Sequence, residues 1–140
     1  MTDDEIAASL LSQVTAIAGQ ITGRMQEGLE RLDLTGPTAN LLWVLDPEGE
    51  PQSLRKLATL LHCDPSNITQ LSAQLEERGL AERRPHPRDG RVRTLVLTAE
   101  GRQIRQRLLV TVARRSPFAD HSDNERRLLQ TLLAKALEGP

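Results

Sequence analysis

The chain has 140 residues, of which 38% are hydrophobic and 26% are charged, and its formal net charge at pH 7 is −1. This length suits one domain, or one domain with added dimerisation helices. Trp43 and Phe118 are the only aromatic residues, which disfavours proteins that grip single strands or RNA by stacking bases on aromatic rings. A single cysteine, Cys63, excludes an intramolecular disulfide and fits a cytoplasmic location.

Charge is unevenly distributed along the sequence. Residues 1–52 carry two basic and nine acidic side chains, a balance of −7. Residues 53–107 carry eleven basic and six acidic ones (+5), and residues 108–140 carry five and four (+1). A local excess of basic charge is typical of a phosphate-binding surface. The acidic N-terminus is unlike a signal peptide, and no apolar run looks long enough to span a bilayer, so we expect no membrane partner.

Apolar residues recur every three or four positions from Asp3 to about Arg31 and predict one long helix. They are Ile6, Leu10, Val14, Ile17, Ile21, Met25, Leu29 and Leu32. A stripe of this length needs a partner, either the chain's own last helix or a second copy of the protein. Residues 35–37 end this helix and open another, and residues 46–51 form a loop by composition. The inward positions of the second helix are Leu41, Leu42, Val44 and Leu45.

Two shorter helices follow, separated by a tight turn at residues 62–63. Ser53 is a good N-cap for the first of them, and Asp64 and Pro65 are a good N-cap and first residue for the second. Gly79 suits the C-terminal end of that second helix. A helix, a tight turn and a second helix with polar residues at its start are typical of a helix-turn-helix.

The second helix of this pair carries short hydrogen-bonding side chains on the face opposite its apolar stripe. Such side chains near a helix N-terminus suit the reading of base edges in a major groove, where each good contact is worth about 1–3 kcal/mol of discrimination. The predicted base and nearby phosphate contacts are Ser66, Asn67, Thr69, Gln70 and Gln74.

Two strands, residues 80–84 and 92–97, follow the helix pair. Residues 85–91 connect them and are rich in turn formers and arginine, which indicates a hairpin and hence a winged helix-turn-helix. Arg83, Arg84 and Arg93 are candidates for phosphate contacts, although strand residues alternate between faces and not all three can point at DNA.

Two helices complete the chain. Thr98 caps one that runs to about Arg115, and Ser122 caps the last, whose apolar residues include Leu128, Leu132 and Leu137. Pairing of the first and last helices in a homodimer is the simplest way to bury both. We therefore predict a mainly α protein with a small β-hairpin (α+β), forming a single compact chain. Residues 35–101 would be the winged helix-turn-helix DNA-binding region, and residues 1–34 and 102–140 the dimerisation helices.

Three stretches resemble the MarR family of bacterial transcription regulators. The first runs from residue 57 to residue 80 and includes Ser66-Asn67-Ile68-Thr69 and Leu75-Glu76-Glu77-Arg78-Gly79-Leu80. The second is Pro87-Arg88-Asp89-Gly90-Arg91, and the third is Leu97-Thr98-Ala99-Glu100-Gly101. His86 stands where the family's wing often begins with Asp.

The resemblance implies a homodimeric, ligand-responsive repressor on a near-palindromic operator, with one recognition helix per subunit in the major groove. Arg88 matches the family's wing-tip arginine and is expected in the minor groove. Arg91 either holds the wing together or binds phosphate, and Asp89 orients a neighbouring arginine. Many members release DNA when a small, often aromatic and anionic, ligand binds, so the expected partners are double-stranded DNA, a second copy and a small-molecule effector.

Two other functions stay open. Winged helices also serve as protein-interaction modules without DNA binding, and the acidic first third of the chain leaves room for that. Cys63, beside His62 and just before a helix N-terminus, raises the alternative of a redox-responsive regulator. We find no enzyme motif, no ligand spacing typical of a metal site and no cofactor motif, and the ligand-binding residues are unknown.

Overall fold

In the computed structural model, which describes residues 1–139, the chain forms six α-helices and a three-stranded antiparallel sheet. The helices are α1 (Asp3–Arg31), α2 (Gly36–Val44), α3 (Leu54–Leu60), α4 (Pro65–Glu77), α5 (Ala99–Arg115) and α6 (Asp123–Glu138). The strands are β1 (Gln52–Ser53), β2 (Ala81–Pro85) and β3 (Arg93–Leu97), in the spatial order β1-β3-β2. This architecture confirms the predicted mainly α fold with a winged helix-turn-helix.

The sheet corrects one detail of the prediction. The sequence predicted a two-stranded hairpin, whereas β1 adds a third strand in which Gln52 pairs with Leu95 and Ser53 pairs with Thr94. A strand of two residues is too short to show an alternating pattern, so its pairing depends on tertiary contacts rather than on local sequence.

Residues 25–112 form one compact unit around the helix pair and the sheet. Its core joins the apolar faces of α2, α3 and α4 with β2, β3 and α5. Complete burial of one large apolar side chain stabilises the folded protein by about 1.5–3 kcal/mol. The large side chains that are fully buried in it are Leu41, Leu42, Leu57, Ile68, Leu75, Leu80, Leu95 and Leu108.

Capping boxes define the starts of two helices, whereas the N-cap of a third helix lacks a side-chain hydrogen bond. Thr35 and Thr38 cap α2 reciprocally, and Ser122 and Glu125 do the same for α6. The hydrogen bonds that Glu125 accepts from the backbone and side chain of Ser122 hold the pKa of Glu125 below its ordinary value. Asp64 occupies the N-cap position of α4 with extended backbone and Pro65 follows as the first helical residue, as predicted, but the Asp64 carboxylate accepts no capping hydrogen bond.

Residues 1–24 and 113–139 form a second unit. None of these residues is buried, and large apolar side chains are exposed on both of its helical segments. They include Leu10, Leu11 and Val14 of α1 and Leu128, Leu132 and Leu137 of α6. Apolar surface of this extent on a chain of ordinary composition marks an interaction surface.

By length and composition alone, α1 is apolar enough to cross a membrane. One 18-residue window within it has a mean hydropathy of 1.2, and none of that window is buried. The prediction that no apolar run is long enough to span a bilayer is therefore wrong by this measure. Gln13 and Gln20 interrupt the window, and a bilayer offers their amides no hydrogen-bond partner, so a contact with another protein surface suits α1 better.

Candidate nucleic-acid interface

The exposed face of α4 carries all five residues predicted to contact bases. Ser66, Asn67, Thr69, Gln70 and Gln74 are each exposed, while Ile68, Leu71, Ser72 and Leu75 are buried on the opposite face. The helix is thus seated firmly on the core along one side and presents short polar groups on the other. Thr69 already donates its hydroxyl to the carbonyl of Pro65, at 3.1 Å, which leaves its oxygen lone pairs and its methyl group for an external partner.

The turn before α4 gives the two short helices their relative direction. His62 adopts a positive φ of 53°, and the amide of Cys63 donates to the carbonyl of Ala58 at 3.0 Å. These features end α3 in a Schellman motif, with His62 in the position that glycine usually takes. Cys63 is a free thiol and is partly buried.

The wing is a short loop that hydrogen-bonds to itself. His86 and Val92 close the base of the hairpin through a backbone hydrogen bond of 2.8 Å from the amide of His86. The ring Nδ1 of His86 accepts from the amide of Arg88 at 3.0 Å. Asp89 Oδ1 accepts from both the amide and the Nε of Arg91, at 3.1 and 3.3 Å. His86 therefore serves as the acceptor that a shorter acidic side chain would supply at the start of the wing.

The two wing arginines are paired with carboxylates. Arg88 Nη2 lies 3.0 Å from Glu50 Oε1 on the loop before β1, and Arg91 Nε lies 3.3 Å from Asp89. The side chains of Arg88 and Glu50 are 80% and 69% exposed. Exposed pairs of this kind contribute about 0–1 kcal/mol, so a phosphate can replace the carboxylate at little cost.

The arginines of β2 and β3 differ from one another. Arg84 pairs with Glu82 on the same strand at 2.6 Å, and both are at least half exposed. Arg83 instead reaches α4, where its Nε lies 2.5 Å from Glu76 Oε1. Arg93 is exposed and takes part in no ion pair among residues 1–139. Arg84 and Arg93 are thus placed as solvent-facing phosphate candidates, whereas Arg83 is occupied inside the unit.

Sequence reasoning identified Asp89 as the partner of a neighbouring arginine, which proves to be Arg91, but it did not identify Glu50 or Glu76. Glu50 stands in a loop with no periodic pattern, so no local signal connects it to a wing residue 38 positions away. The inward direction of Arg83, though not its partner Glu76, could have been found from alternation, because Ala81 and Arg83 share one face of β2 and Ala81 is buried. That face is the one directed at α4.

Two cavities lie in the same unit. One, of about 200 Å³, is partly open to solvent and is lined by residues 45–47 and 49–52, residues 95–97 of β3, Arg84 and Arg102. The other, an open groove of about 450 Å³, lies beside the turn at His62 and Cys63. Within residues 1–139, no group of three or more His, Cys, Asp or Glu side chains is arranged to hold a metal ion.

Comparisons with known proteins agree with this geometry. The profile of the MarR family matches residues 34–92. The HTH-type transcriptional repressor IacR of Pseudomonas putida is 33% identical over 92 residues, which are 66% of this chain and 54% of that protein. The chain therefore aligns with about half the length of this curated relative.

Solved structures extend the similarity to almost the whole chain. CouR from Rhodococcus jostii RHA1, solved with p-coumaroyl-CoA, superposes with a TM-score of 0.76 at 28% identity, covering 94% of this chain and 90% of that one. The crystal structure of MarR superposes with a TM-score of 0.72 at 26% identity, covering 92% and 88%.

Proposed function

The chain belongs to the MarR family, and from that premise we propose that it is a sequence-specific, double-stranded DNA-binding transcriptional regulator that acts as a homodimeric repressor. One observation carries the proposal: an exposed row of short polar side chains on α4 stands beside a wing whose arginines hold only weak, exposed ion pairs. The relative IacR is a transcriptional repressor of the helix-turn-helix type, which supports the same function.

The proposed binding mode follows from the two exposed elements. The N-terminal half of α4 enters the major groove, where Ser66, Asn67 and Thr69 read base edges. Gln70 and Gln74 contact bases or the adjacent backbone. Arg88 leaves Glu50 for the neighbouring minor groove, whose negative potential is strongest over A·T segments. Arg91 and Arg93 neutralise phosphates beside the wing. Arg84 pairs with Thr94, on the opposite face of the sheet from Arg93, and takes no part in this contact.

A homodimer supplies a second recognition helix for the second half-site, and it buries the apolar surface that a single copy leaves exposed. Residues 1–24 and 113–139 bury none of their own side chains, and their exposed leucines offer one another an apolar surface. Two copies related by a twofold axis would read a near-palindrome whose half-sites lie about one helical turn apart, 10–10.5 bp from centre to centre.

A small-molecule effector is the remaining part of the proposal. CouR has been solved with p-coumaroyl-CoA, and that ligand is a property of CouR. For this chain we propose only that an organic effector lowers DNA affinity, without assigning residues to its pocket. The cytoplasmic location and the absence of a catalytic function remain predictions from the sequence.

Selection of duplexes from a random-sequence library tests the function without knowledge of the operator. We expect the protein to enrich a near-palindrome and to bind it in a fluorescence-anisotropy titration more tightly than a scrambled duplex of the same composition. The affinity should fall steeply between two salt concentrations, because bound arginines release counterions from phosphates. Equal binding to all duplexes, or none, would refute sequence-specific regulation.

A failed selection would favour the alternatives. An interaction module shows no salt-dependent affinity for any duplex. A redox-responsive regulator binds DNA when reduced and loses binding on oxidation, and Cys63→Ser abolishes that response while binding persists.

A further inference from the structure

Arg83 is one of three strand arginines predicted as candidates for phosphate contacts, not all of which can point at DNA, and the structure gives it an internal partner. Its Nε lies 2.5 Å from Glu76 Oε1, and its Nη2 lies 3.4 Å from the carbonyl oxygen of Thr69. Both partners belong to α4, and they are seven residues apart. Two turns of helix therefore separate them along a single face. One guanidinium thus bridges two points along the flank of this helix.

Burial separates this pair from the other arginine pairs of the wing. The side chains of Arg83 and Glu76 are 33% and 34% exposed, compared with 62% and 50% for Arg84 and Glu82. Partial burial shields the pair from solvent and salt, which makes it more persistent than a surface pair. The rigid fork of the guanidinium also fixes geometry in a way that a single charge does not.

The position of Arg83 on β2 explains why its side chain contacts α4 and cannot also bind a DNA phosphate. Ala81 is buried, and Arg83 lies two residues further along the same face of the strand, the face directed at α4. Glu82 and Arg84 lie on the opposite face, where their side chains are exposed. Strand alternation thus directs neighbouring arginines to different tasks.

Thr69 makes the contact relevant to sequence reading. It is one of the residues proposed to contact bases, and its carbonyl is one of the two groups that Arg83 contacts. A bridge between the wing strand and this flank fixes the orientation of α4 about its own axis. Rotation of the helix would move Ser66, Asn67 and Thr69 away from the base edges, so a small loss of orientation costs specificity.

We propose that Arg83 is a positioning residue for sequence recognition: together with Glu76 it fastens the recognition helix to the wing, and it does not bind phosphate. This inference rests on the proposed DNA-binding function. It predicts that loss of the bridge lowers the preference for the selected near-palindrome over a scrambled duplex, while the number of phosphates neutralised by the protein stays the same.

The test measures affinity for both duplexes at several salt concentrations for Arg83→Ala, Glu76→Ala and the double variant. We expect each single variant to lose about tenfold in the ratio of specific to scrambled affinity, comparable to one base contact. The double variant should lose no more than either single variant, because both residues act through one contact. The slope of log affinity against log salt concentration should equal that of the unmodified protein.

Two further variants distinguish positioning from phosphate binding. Arg83→Lys keeps the charge but cannot contact Glu76 and Thr69 with one planar fork, so it should not restore specificity. Arg84→Ala removes a charge from the opposite face of the same strand and should leave the specificity ratio unchanged. A salt slope lowered by about 0.9 per subunit in Arg83→Ala, with recovery in Arg83→Lys, would show a phosphate contact and overturn the proposal.

The outcomes also separate this inference from the function on which it rests. If the unmodified protein enriches a near-palindrome but Arg83→Ala and Glu76→Ala keep its full specificity, only the positioning role is refuted. If the unmodified protein enriches no sequence, the regulatory function is refuted and this inference with it. Circular dichroism of each variant, compared with the unmodified protein, shows that the helices remain folded; if Arg83→Ala loses them, Arg83→Gln takes its place.

Discussion

Gly101, in the first turn of α5, lies against the backbone of Leu80. A Cβ added to it would sit 1.9 Å from the carbonyl oxygen of Leu80. Thr98 creates this close approach, since its amide donates to the same carbonyl at 3.1 Å and its hydroxyl donates to the carbonyl of Gly79 at 2.6 Å. The amide of Gly101 in turn donates to the hydroxyl of Thr98 at 3.0 Å. The start of α5 is therefore fastened to the end of the recognition helix by backbone contacts that admit no side chain.

Gly101→Ala should consequently destabilise the protein. Neither backbone can yield without losing hydrogen bonds, so we expect the free energy of unfolding to fall by about 3 kcal/mol or more. Urea denaturation followed by circular dichroism measures this change. Gly36→Ala, at a glycine with no heavy atom within 4 Å of an added Cβ, should be neutral. Equal stability of the two variants would show that α5 does not approach Leu80 this closely.

Ser72 is a fully buried residue whose hydroxyl has no hydrogen-bond partner in the described part of the chain. Ser72→Ala removes that unsatisfied group and improves helix propensity, so we expect the free energy of unfolding to rise by about 1 kcal/mol. Ser66→Ala, on the exposed face of α4, controls for propensity alone. A loss of stability in Ser72→Ala would indicate that a bound water satisfies the hydroxyl.

Arg88 and Glu50 form a pair that DNA is proposed to break. Arg88→Ala should lower the salt slope of operator binding by at most about 0.9 per subunit, because a cation that displaces counterions from the phosphates flanking the minor groove is lost. Glu50→Gln removes the competing carboxylate and should tighten binding by about fivefold per subunit at most, the value of one exposed ion pair. Glu48→Gln removes the same charge from the same loop without touching Arg88. If Glu48→Gln tightens binding as much as Glu50→Gln, the effect is general electrostatics and the pair has no specific role.

Among the elements, three helices end in the same hydrogen-bonded motif with different residues at its left-handed position. Asp33 follows α1 with a φ of 56°, His62 follows α3 with 53°, and Gly79 follows α4 with 72°. In each case the next residue donates to a carbonyl five positions earlier: Leu34 to Leu29, Cys63 to Ala58 and Leu80 to Leu75. Residues other than glycine are sterically strained in this left-handed conformation, because their Cβ atom crowds the backbone.

His62→Gly should relieve that cost in the turn between α3 and α4. We expect an increase of about 1 kcal/mol in the free energy of unfolding. Gly79→Ala, the opposite change in the equivalent position of α4, should reduce it by a similar amount. Chemical denaturation of both variants provides the comparison. If His62→Gly is destabilising, the histidine ring makes a compensating contact, and the open groove beside it is where that contact would be sought.

The sequence predicted each helix within a few residues because every helix has a periodic apolar face and a recognisable start. It failed where structure depends on distant partners. β1 is two residues long and depends on its pairing with β3. Asp64 has the right residue type for a cap, but its carboxylate accepts no capping bond. Arg83 faces α4 because of the position of Ala81 on β2, which no local count of charges reveals. Local propensity fixes elements, whereas pairing between elements depends on the assembled fold.

At the scale of the whole molecule, residues 1–24 and 113–139 differ from the rest in lacking a core. Their stripes were predicted from apolar periodicity, and the structure leaves several residues of both stripes exposed: Leu10 is 56% and Leu128 is 61% accessible. A monomer would keep this apolar surface in water, at a cost of about 25 cal/mol per Å² relative to burial. The proposed homodimer removes that cost, and it also places two recognition helices on one duplex, so stability and operator reading share one interface.

Leu132→Glu tests this link. Leu132 is 55% exposed on the apolar side of α6, and a carboxylate introduced there becomes a buried, unpaired charge when two copies associate. An unpaired buried charge costs about 3–5 kcal/mol, which weakens association by about 100-fold or more. Sedimentation equilibrium should therefore show a monomer at concentrations where the unmodified protein is a dimer.

Operator binding should weaken in parallel, since a monomer contacts only one half-site. Thr131→Glu introduces the same charge on the polar side of α6 and should leave both the dimer and its DNA affinity unchanged. Circular dichroism establishes that Leu132→Glu remains helical. A Leu132→Glu protein that stays dimeric would exclude this side of α6 from the dimer interface. A monomer that keeps full operator affinity would separate DNA reading from dimerisation and reduce the functional unit to a single winged helix.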